Sequence, residues 1–441
     1  MRILYLILFF SLKYAFRIFF RNRERVNSRA KFLGRTIYVS NHPASFLDPL
    51  VIAGLQMPVV FFMTRSDVFT AISRPFLWAC HMLPIYRQQD GGDTKDKNEK
   101  VFKKCSKILS QGRNLLIFGE GFTDDVFIRR LKPVKKGAVK IGFTTLENMD
   151  WKKKVYMVGI GCNYTDPRKM RSGLLISNSE RICLNDWKEL YLENPIKAIN
   201  DVTKILEKLM REQITHVEKK DAAPFHENMM RITRKGMNNE SYDPKLSMSE
   251  RWNYSKQLAN WLNTKDLETD EKLGELKSDS EGYFSLLKRM KIEDKYVFWK
   301  KENPKGGRTK ELLLLILIFP IMLIGAAHCL IPYKLSKGFA EKSFKRKVFW
   351  SSVKLIMGKI SIGLINIPVI FLFYSFVYES WILAIAYYFL IGIYGGIAYV
   401  WFINLKTYKT KGAIQKADLS KFIKKRDDLE SRIIKVIESQ T

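Results

Sequence analysis

The sequence predicts an α/β domain with a membrane-associated helix at its N-terminus and transmembrane helices toward its C-terminus. Three observations carry this. Short apolar runs alternate with amphipathic stretches between about residues 30 and 215, as in a layered strand-and-helix domain. Long apolar stretches occupy 311–333 and 360–402. Lys and Arg number 75 against 44 acidic residues, a formal charge of +31 that calls for an anionic partner.

At 441 residues the chain can bury a full core and hold more than one unit. The anionic partner reads as the negative face of a bilayer, because apolar spans accompany the charge. No specific nucleic acid is indicated, since no familiar recognition module joins the basic residues. The 5 cysteines (Cys80, Cys105, Cys162, Cys183 and Cys329) lack paired metal spacing, which argues against a disulfide scaffold or a structural zinc. No cofactor is indicated.

Residues 1–29 hold the first element and its collar. MRILYLILFFSLKYAFRIFF is interrupted by Lys13 and Arg17, and no small-residue cleavage site comes after it. It reads as a retained helix in or entering the bilayer surface. RNRERVNSRAK then suits either lipid headgroups or a solvated turn.

Within 30–215, GRTIYVS reads as a strand, and NHPASFLDPLVIAG as a turn leading into a helix, with Pro43 favouring the turn and Ser45 able to cap the helix. MPVVFFMT and LPIYR read as further strands, and QQDGGDTKDKNEK as a loop. EKVFKKCSKILSQGR is an amphipathic helix stopped at Gly112. LLIFGEGF runs from strand into glycines and Glu120, the way a strand delivers a functional loop at its carboxyl end. KKGAVKIGFTTLEN starts a helix, and KVYMVGIGCNY is another buried strand.

Residues 216–305 read as a helical accessory region, with HENMMRITRKGMNNESYDP and SERWNYSKQLANWLNTKD as helices and charge-rich connections after them. Residues 306–404 form the transmembrane region with a basic loop, and 405–441 a basic, then mixed-charge tail. Stretch 311–333 is long enough for one crossing, and 360–402 for two joined at YESW. A straight first crossing would place basic loops on both faces, against the usual charge bias. Two arrangements therefore stand: three conventional spans, or a first segment made re-entrant by Pro320 and Pro332.

The chemistry-bearing stretch is NHPASFLD, residues 41–48. His42 and Asp48 are six positions apart, which aligns poorly on an ideal helix. A bend at Pro43 brings them together; without one, His42 is a surface residue and Asp48 a helix cap. Ser45 raises a serine-hydrolase reading, but no GxSxG surrounds it. Cys80 and His81 are adjacent, and peptide neighbours commonly point apart.

NHPASFLD, LPIYR and IFGEG, in this order across residues 36–165, resemble the blocks of the glycerophospholipid, or PlsC-like, acyltransferase family. The resemblance implies transfer of a fatty acyl group from acyl-CoA or acyl carrier protein to glycerol-3-phosphate or 1-acylglycerol-3-phosphate, with membrane lipids as surroundings and the catalytic domain on the cytoplasmic side. It implies His42 as general base and Asp48 as the carboxylate that orients it. It also implies Arg87 as a ligand of acceptor phosphate, and Glu120 and Gly121 as residues shaping the acceptor site. Arg65 matches the basic residue before the family's apolar helix.

The chain departs from the family pattern in three places. The five residues PASFL between His42 and Asp48 are one more than the usual spacing, which is similar to a branch that includes glycerol-3-phosphate acyltransferases. FGEGFTD has Gly119 where the family has proline and lacks the nearby arginine, a loss that Arg129 or Arg130 could make good. Val158-Gly159-Ile160 lacks the proline of the fourth block. The altered third block bears on the acceptor and leaves open an acyltransferase for an amino-acid lipid or other lysolipid. A reading of a different class is a noncatalytic membrane-binding protein whose positive surface recruits acidic lipid.

Overall fold

The structure, a computed structural model, describes residues 2–27, 34–55, 60–86 and 94–438. It forms two compact units. One contains residues up to Phe16, Asn22–Tyr164 and Leu174–Glu218; the other contains Arg17–Arg21, Thr165–Gly173 and everything from Lys219. The N-terminal half runs α1 (Arg2–Phe19), β1 (Asn22–Val26), β2 (Thr36–Ser40), α2 (Leu47–Leu55), β3 (Val60–Arg65), α3 (Ser73–Ala79), β4 (Met82–Ile85), α4 (Thr94–Ser110), β5 (Asn114–Phe118), α5 (Gly137–Glu147), β6 (Tyr156–Tyr164), β7 (Gly173–Cys183), α6 (Lys188–Glu193) and α7 (Pro195–Glu212).

These strands make one sheet in the order β1-β7-β6-β2-β5-β3-β4. β2 pairs in parallel with β5 and β6, and β3 in parallel with β5 and β4, whereas β6 and β7 are antiparallel. The carboxyl ends of β3, β5, β2 and β6 therefore open on one edge, where open α/β sheets present their functional loops. The predicted α/β class is what the chain adopts.

TIYVS of β2 is buried at every position, as a central parallel strand covered on both faces must be. Ile37 and Val39 join Leu115, Ile117 and Met157 in a core completed by Cys105 of α4, Phe143 of α5 and Val202 of α7. Each such aliphatic side chain contributes about 1.5–3 kcal/mol when fully buried. Tyr38, on the other side of the strand, is also fully buried. Gly54 lets α1 approach α2: a Cβ there would lie 2.8 Å from the Phe16 ring.

Several elements differ from expectation. NRERV in the basic collar is strand β1 at one edge of the sheet, where charged side chains stay solvated. α4 begins at Thr94, inside the predicted loop, because Val101, Cys105, Ile108 and Leu109 define one apolar face that the polar residues before them extend. GLLISNSERIC forms β7, a strand that the sequence pattern does not announce.

The remaining elements are α8 (Ala223–Thr233), α9 (Met248–Asn263), α10 (Glu271–Arg289), α11 (Asp294–Glu302), α12 (Thr309–Ser343), α13 (Trp350–Ile365), α14 (Ile367–Phe376), α15 (Trp381–Lys416) and α16 (Ser420–Glu438). Ser247 caps α9 by accepting the Glu250 N–H, while Glu250 accepts the Ser247 N–H, a reciprocal capping box. The charge-rich stretch after α9 is helix α10 rather than a connection. The tail is not separate: Arg426 of α16 is fully buried, bonding Asp294 Oδ1 at 3.1 Å, Glu430 Oε2 at 2.9 Å and the Ile232 carbonyl at 2.5 Å.

Among the described residues, three helical segments are long and apolar enough to cross a membrane: Thr309–Ser343, Lys347–Phe376 and Trp381–Lys416. The second begins well before residue 360, because α13 continues the apolar run N-terminally. α12 is an unbroken helix through Pro320 and Pro332, so the first apolar segment is not a re-entrant loop.

Candidate active site

Three neighbouring parallel strands deliver the site. β2 ends two residues before His42, β5 two residues before Glu120, and β6 ends at Tyr164. After β2 the chain makes a tight turn: the Leu47 N–H donates to the Ala44 carbonyl at 3.2 Å and the Asp48 N–H to the Ser45 carbonyl at 3.1 Å. Ser45 takes a φ of 51°, the left-handed region, which reverses the chain in so few residues. This turn at 43–46 supplies the bend that the six-residue separation required.

His42 Nδ1 lies 3.0 Å from Asp48 Oδ2. The same oxygen accepts the Ala44 N–H at 2.9 Å, and Asp48 Oδ1 accepts the Tyr164 hydroxyl at 2.8 Å. With both carboxylate oxygens accepting, Nδ1 is the donor to Asp48, so in the neutral imidazole the lone pair is on Nε2. Nε2 makes no hydrogen bond among the described residues. The Asp48 side chain is 0% exposed, while that of His42 keeps 19% exposure, so the orienting acid is dry and the imidazole is reachable.

Two contacts fix the histidine further. Its ring stacks on Phe118 with centroids 4.1 Å apart, and its backbone N–H donates to Glu120 Oε1 at 3.2 Å. Asn41 ties the end of β2 to β6, donating to the Cys162 carbonyl at 3.1 Å and accepting the Cys162 N–H at 2.8 Å.

Burial pushes the Glu120 carboxyl up to about 7, opposed by the His42 N–H and by Lys132, whose Nζ is 4.0 Å from Glu120 Oε2. Lys132 also bonds Asp124 at 3.1 Å and sits 3.7 Å over the Phe122 ring. Burial, and then the Asp48 charge, raises Tyr164 well above the ordinary phenol value, so it remains a donor.

The other residues singled out in the sequence are placed more variously. Gly121 has a φ of +75° and donates its N–H to the Phe118 carbonyl at 3.2 Å, so it closes the turn after β5. Gly119 donates to the Ser40 carbonyl at 3.1 Å, a bond that the family's proline at this position cannot make. Arg129 is buried, and its guanidinium donates to the Tyr164 carbonyl at 2.7 Å beneath the site. Arg130 is exposed. Arg65, at the end of β3, is exposed and donates to both carboxylate oxygens of Asp67 through Nε and Nη2. Arg87 lies outside the described residues. The Cys80 thiol is pushed up to about 11 by burial, which suits a packed cysteine rather than a nucleophile.

Sequence reasoning missed Tyr164, Asn41, Phe118 and Lys132. Tyr164 had a usable signal, since it closes a predicted buried strand on the edge where loops carry function. An imidazole with one nitrogen held by a buried carboxylate, the carboxylate held in turn by a buried hydroxyl, is an arrangement that can accept a proton from a bound hydroxyl.

A comparison with curated proteins finds no match to the chain. Residues 17–162 match the family model described as Acyltransferase, and the chain carries a domain of that family, PlsC-like in its ordered blocks, followed by helices apolar enough to span a membrane.

Proposed function

We propose that this membrane acyltransferase is an O-acyltransferase that moves a fatty acyl group from acyl-CoA or acyl carrier protein to a hydroxyl of glycerol-3-phosphate or 1-acylglycerol-3-phosphate. One observation carries the reading: His42 Nδ1 is held 3.0 Å from a buried carboxylate, which leaves Nε2 as the base. In the proposed reaction Nε2 takes the proton of the acceptor hydroxyl as its oxygen attacks the thioester carbonyl. Asp48 balances the imidazolium charge. Collapse of the tetrahedral intermediate breaks the carbon–sulfur bond, the departing thiolate takes the proton from His42, and an ester remains. Arg87, Arg130 and Lys132 supply positive charge for an acceptor phosphate. In this proposal the catalytic domain faces the cytoplasm, where both soluble donors occur.

A second reading is acylation of an amino-acid lipid or other lysolipid. It draws support from Arg129 and Arg65, which are engaged with the Tyr164 carbonyl and Asp67. Initial rates of acyl transfer on a panel of acceptors, with lipid mass spectrometry of the products, test both. His42→Ala and Asp48→Asn should each lose about 100-fold or more with correctly folded protein, and near-wild-type rates would reject the base. Arg87→Ala should harm phosphorylated acceptors more than neutral ones; equal losses favour the second reading. No thioester consumption with any acceptor would leave only a noncatalytic membrane binder.

A further inference from the structure

The helices of the C-terminal unit carry a topology that their lengths alone do not. α12 and α15 pack antiparallel: Glu311 pairs with Lys411, Trp401 Nε1 donates to the Leu315 carbonyl, and Cys329 bonds the Ile391 carbonyl. The C-terminal end of α12 and the N-terminal end of α15 are thus on the same side. The connection 344–380 leaves and returns to that side. Its first half, α13, runs back along α12, with Lys354 bonded to Glu341 and Ser361 to Ser336. Its second half, α14, ends against the start of α15, where Tyr374 stacks on Trp381 at 4.3 Å.

We propose that α13 and α14 form a re-entrant hairpin with its tip at Asn366, so that the chain crosses the bilayer twice, by α12 and α15. Asn366 bonds His328, which lies 15 residues before the end of α12, so the tip reaches roughly 22 Å along that helix from its end at 1.5 Å per residue.

The tip solves the problem that a broken helix meets in lipid, where freed backbone groups find no water. Asn366 Nδ2 donates to the Ile362 carbonyl at 2.9 Å, and Tyr388 donates to the Gly363 carbonyl at 2.8 Å, covering the end of α13. Asn366 Nδ2 also donates to the His328 carbonyl at 3.1 Å. That carbonyl has no helical partner, because the residue four positions on is Pro332, which lacks an N–H. Asn366 Oδ1 accepts His328 Nδ1–H at 2.8 Å, and His328 Nε2 accepts the Tyr387 hydroxyl at 2.9 Å. The proline in α12 thus opens the acceptor on which the tip docks.

A separate observation requires an even number of crossings. The tail after α15 is bonded to the helices before α12 through the buried Arg426–Asp294 pair and through Arg432–Asp279 at 2.6 Å. Three crossings would put these partners on opposite faces of a hydrocarbon core about 30 Å thick. Charge does not choose between the arrangements, since Lys334, Lys337, Lys342, Lys345, Arg346 and Lys347 flank one end of α12 and Lys305, Arg308 and Lys310 the other.

Single cysteines at Lys305, Lys345, Glu379 and Lys424 of the full chain, labelled with a membrane-impermeant maleimide in sealed vesicles of both orientations and read by peptide mass spectrometry, test the topology. Positions 345 and 379 should label from one face, and 305 and 424 from the other. Labelling of 345 and 379 from opposite faces, or of all four from one, overturns the proposal. A double-mutant cycle tests the tip. Asn366→Leu should lower the thermal midpoint, and less so in a Pro332→Ala background, where a restored helix N–H meets the His328 carbonyl. Strictly additive shifts would remove the docking on which the hairpin rests.

Discussion

Tyr164 donates its hydroxyl to Asp48 Oδ1 at 2.8 Å, on the carboxylate oxygen that His42 does not use. Tyr164→Phe removes that donor and leaves a buried acceptor short of a partner, at about 1–3 kcal/mol of stability. The imidazole is then less firmly oriented, so kcat should fall about 10-fold, the equivalent of roughly 1.4 kcal/mol, with the acceptor KM little changed. Steady-state kinetics beside a thermal melt check this. A stability loss with kcat unchanged would make Tyr164 a packing residue only.

Glu120 gives a pH prediction with a definite sign. Its carboxyl is raised from 4.5 to about 7 by burial, so the folded chain holds a proton there that the unfolded chain releases. The stability linked to that proton is present in full below about 4.5 and is lost as pH rises through about 7. Glu120→Gln keeps an oxygen for the His42 N–H and abolishes the titration. The unfolding free energy of the solubilised protein from chemical denaturation, wild type minus variant, should decline between pH 5 and pH 8 by up to a few kcal/mol, on the scale of about 1.4 kcal/mol per pKa unit. A flat difference contradicts the assignment.

Gly161 in β6 tests how closely the sheet is approached by the chain just beyond α7. A Cβ there would lie 2.0 Å from the Gln213 carbonyl, a backbone atom that cannot swing away. Gly161→Ala should destabilise by about 3 kcal/mol or more and depress activity with it, since β6 also carries Tyr164 and Cys162. Chemical denaturation against wild type measures the first effect, and a loss below about 1 kcal/mol, under the usual range for overpacking, would show that the strand can shift.

Arg426 tests the tail. Removing its guanidinium strands the Asp294 carboxylate in a dry interior, which typically costs about 3–5 kcal/mol. Arg426→Ala should therefore lower the helical melting transition sharply, whereas the exposed Lys424→Ala should leave it unchanged. Circular dichroism in detergent distinguishes them.

Much of this was legible along the chain. The α/β class followed from alternating periodicity, and the membrane segments from length and apolarity. His42, Asp48 and Glu120 were picked out from the segments that carry them, and all three meet at one edge of the sheet. The elements that escaped share a cause. β7 buries Ser177, Asn178 and Ser179, whose polarity masks a strand pattern; Ser177 and Ser179 are satisfied by Gln213 and the Gly159 N–H. Tyr164 meets Asp48 across 116 positions of sequence, beyond any local pattern. The reversal at Asn366 is invisible to hydropathy, because both arms of the hairpin are apolar.

The distance in sequence between Asp48 and Tyr164 also bears on how the protein acquires competence. The His42–Asp48–Tyr164 cluster, drawn from the loop after β2, the first turn of α2 and the last residue of β6, is completed late: until the strand carrying Tyr164 lies against β2, the carboxylate has only its local partners. Such long-range closure is slow relative to helix formation. In a refolding experiment, recovery of helical signal should precede recovery of acyl transfer, making turnover a reporter of the final strand pairing.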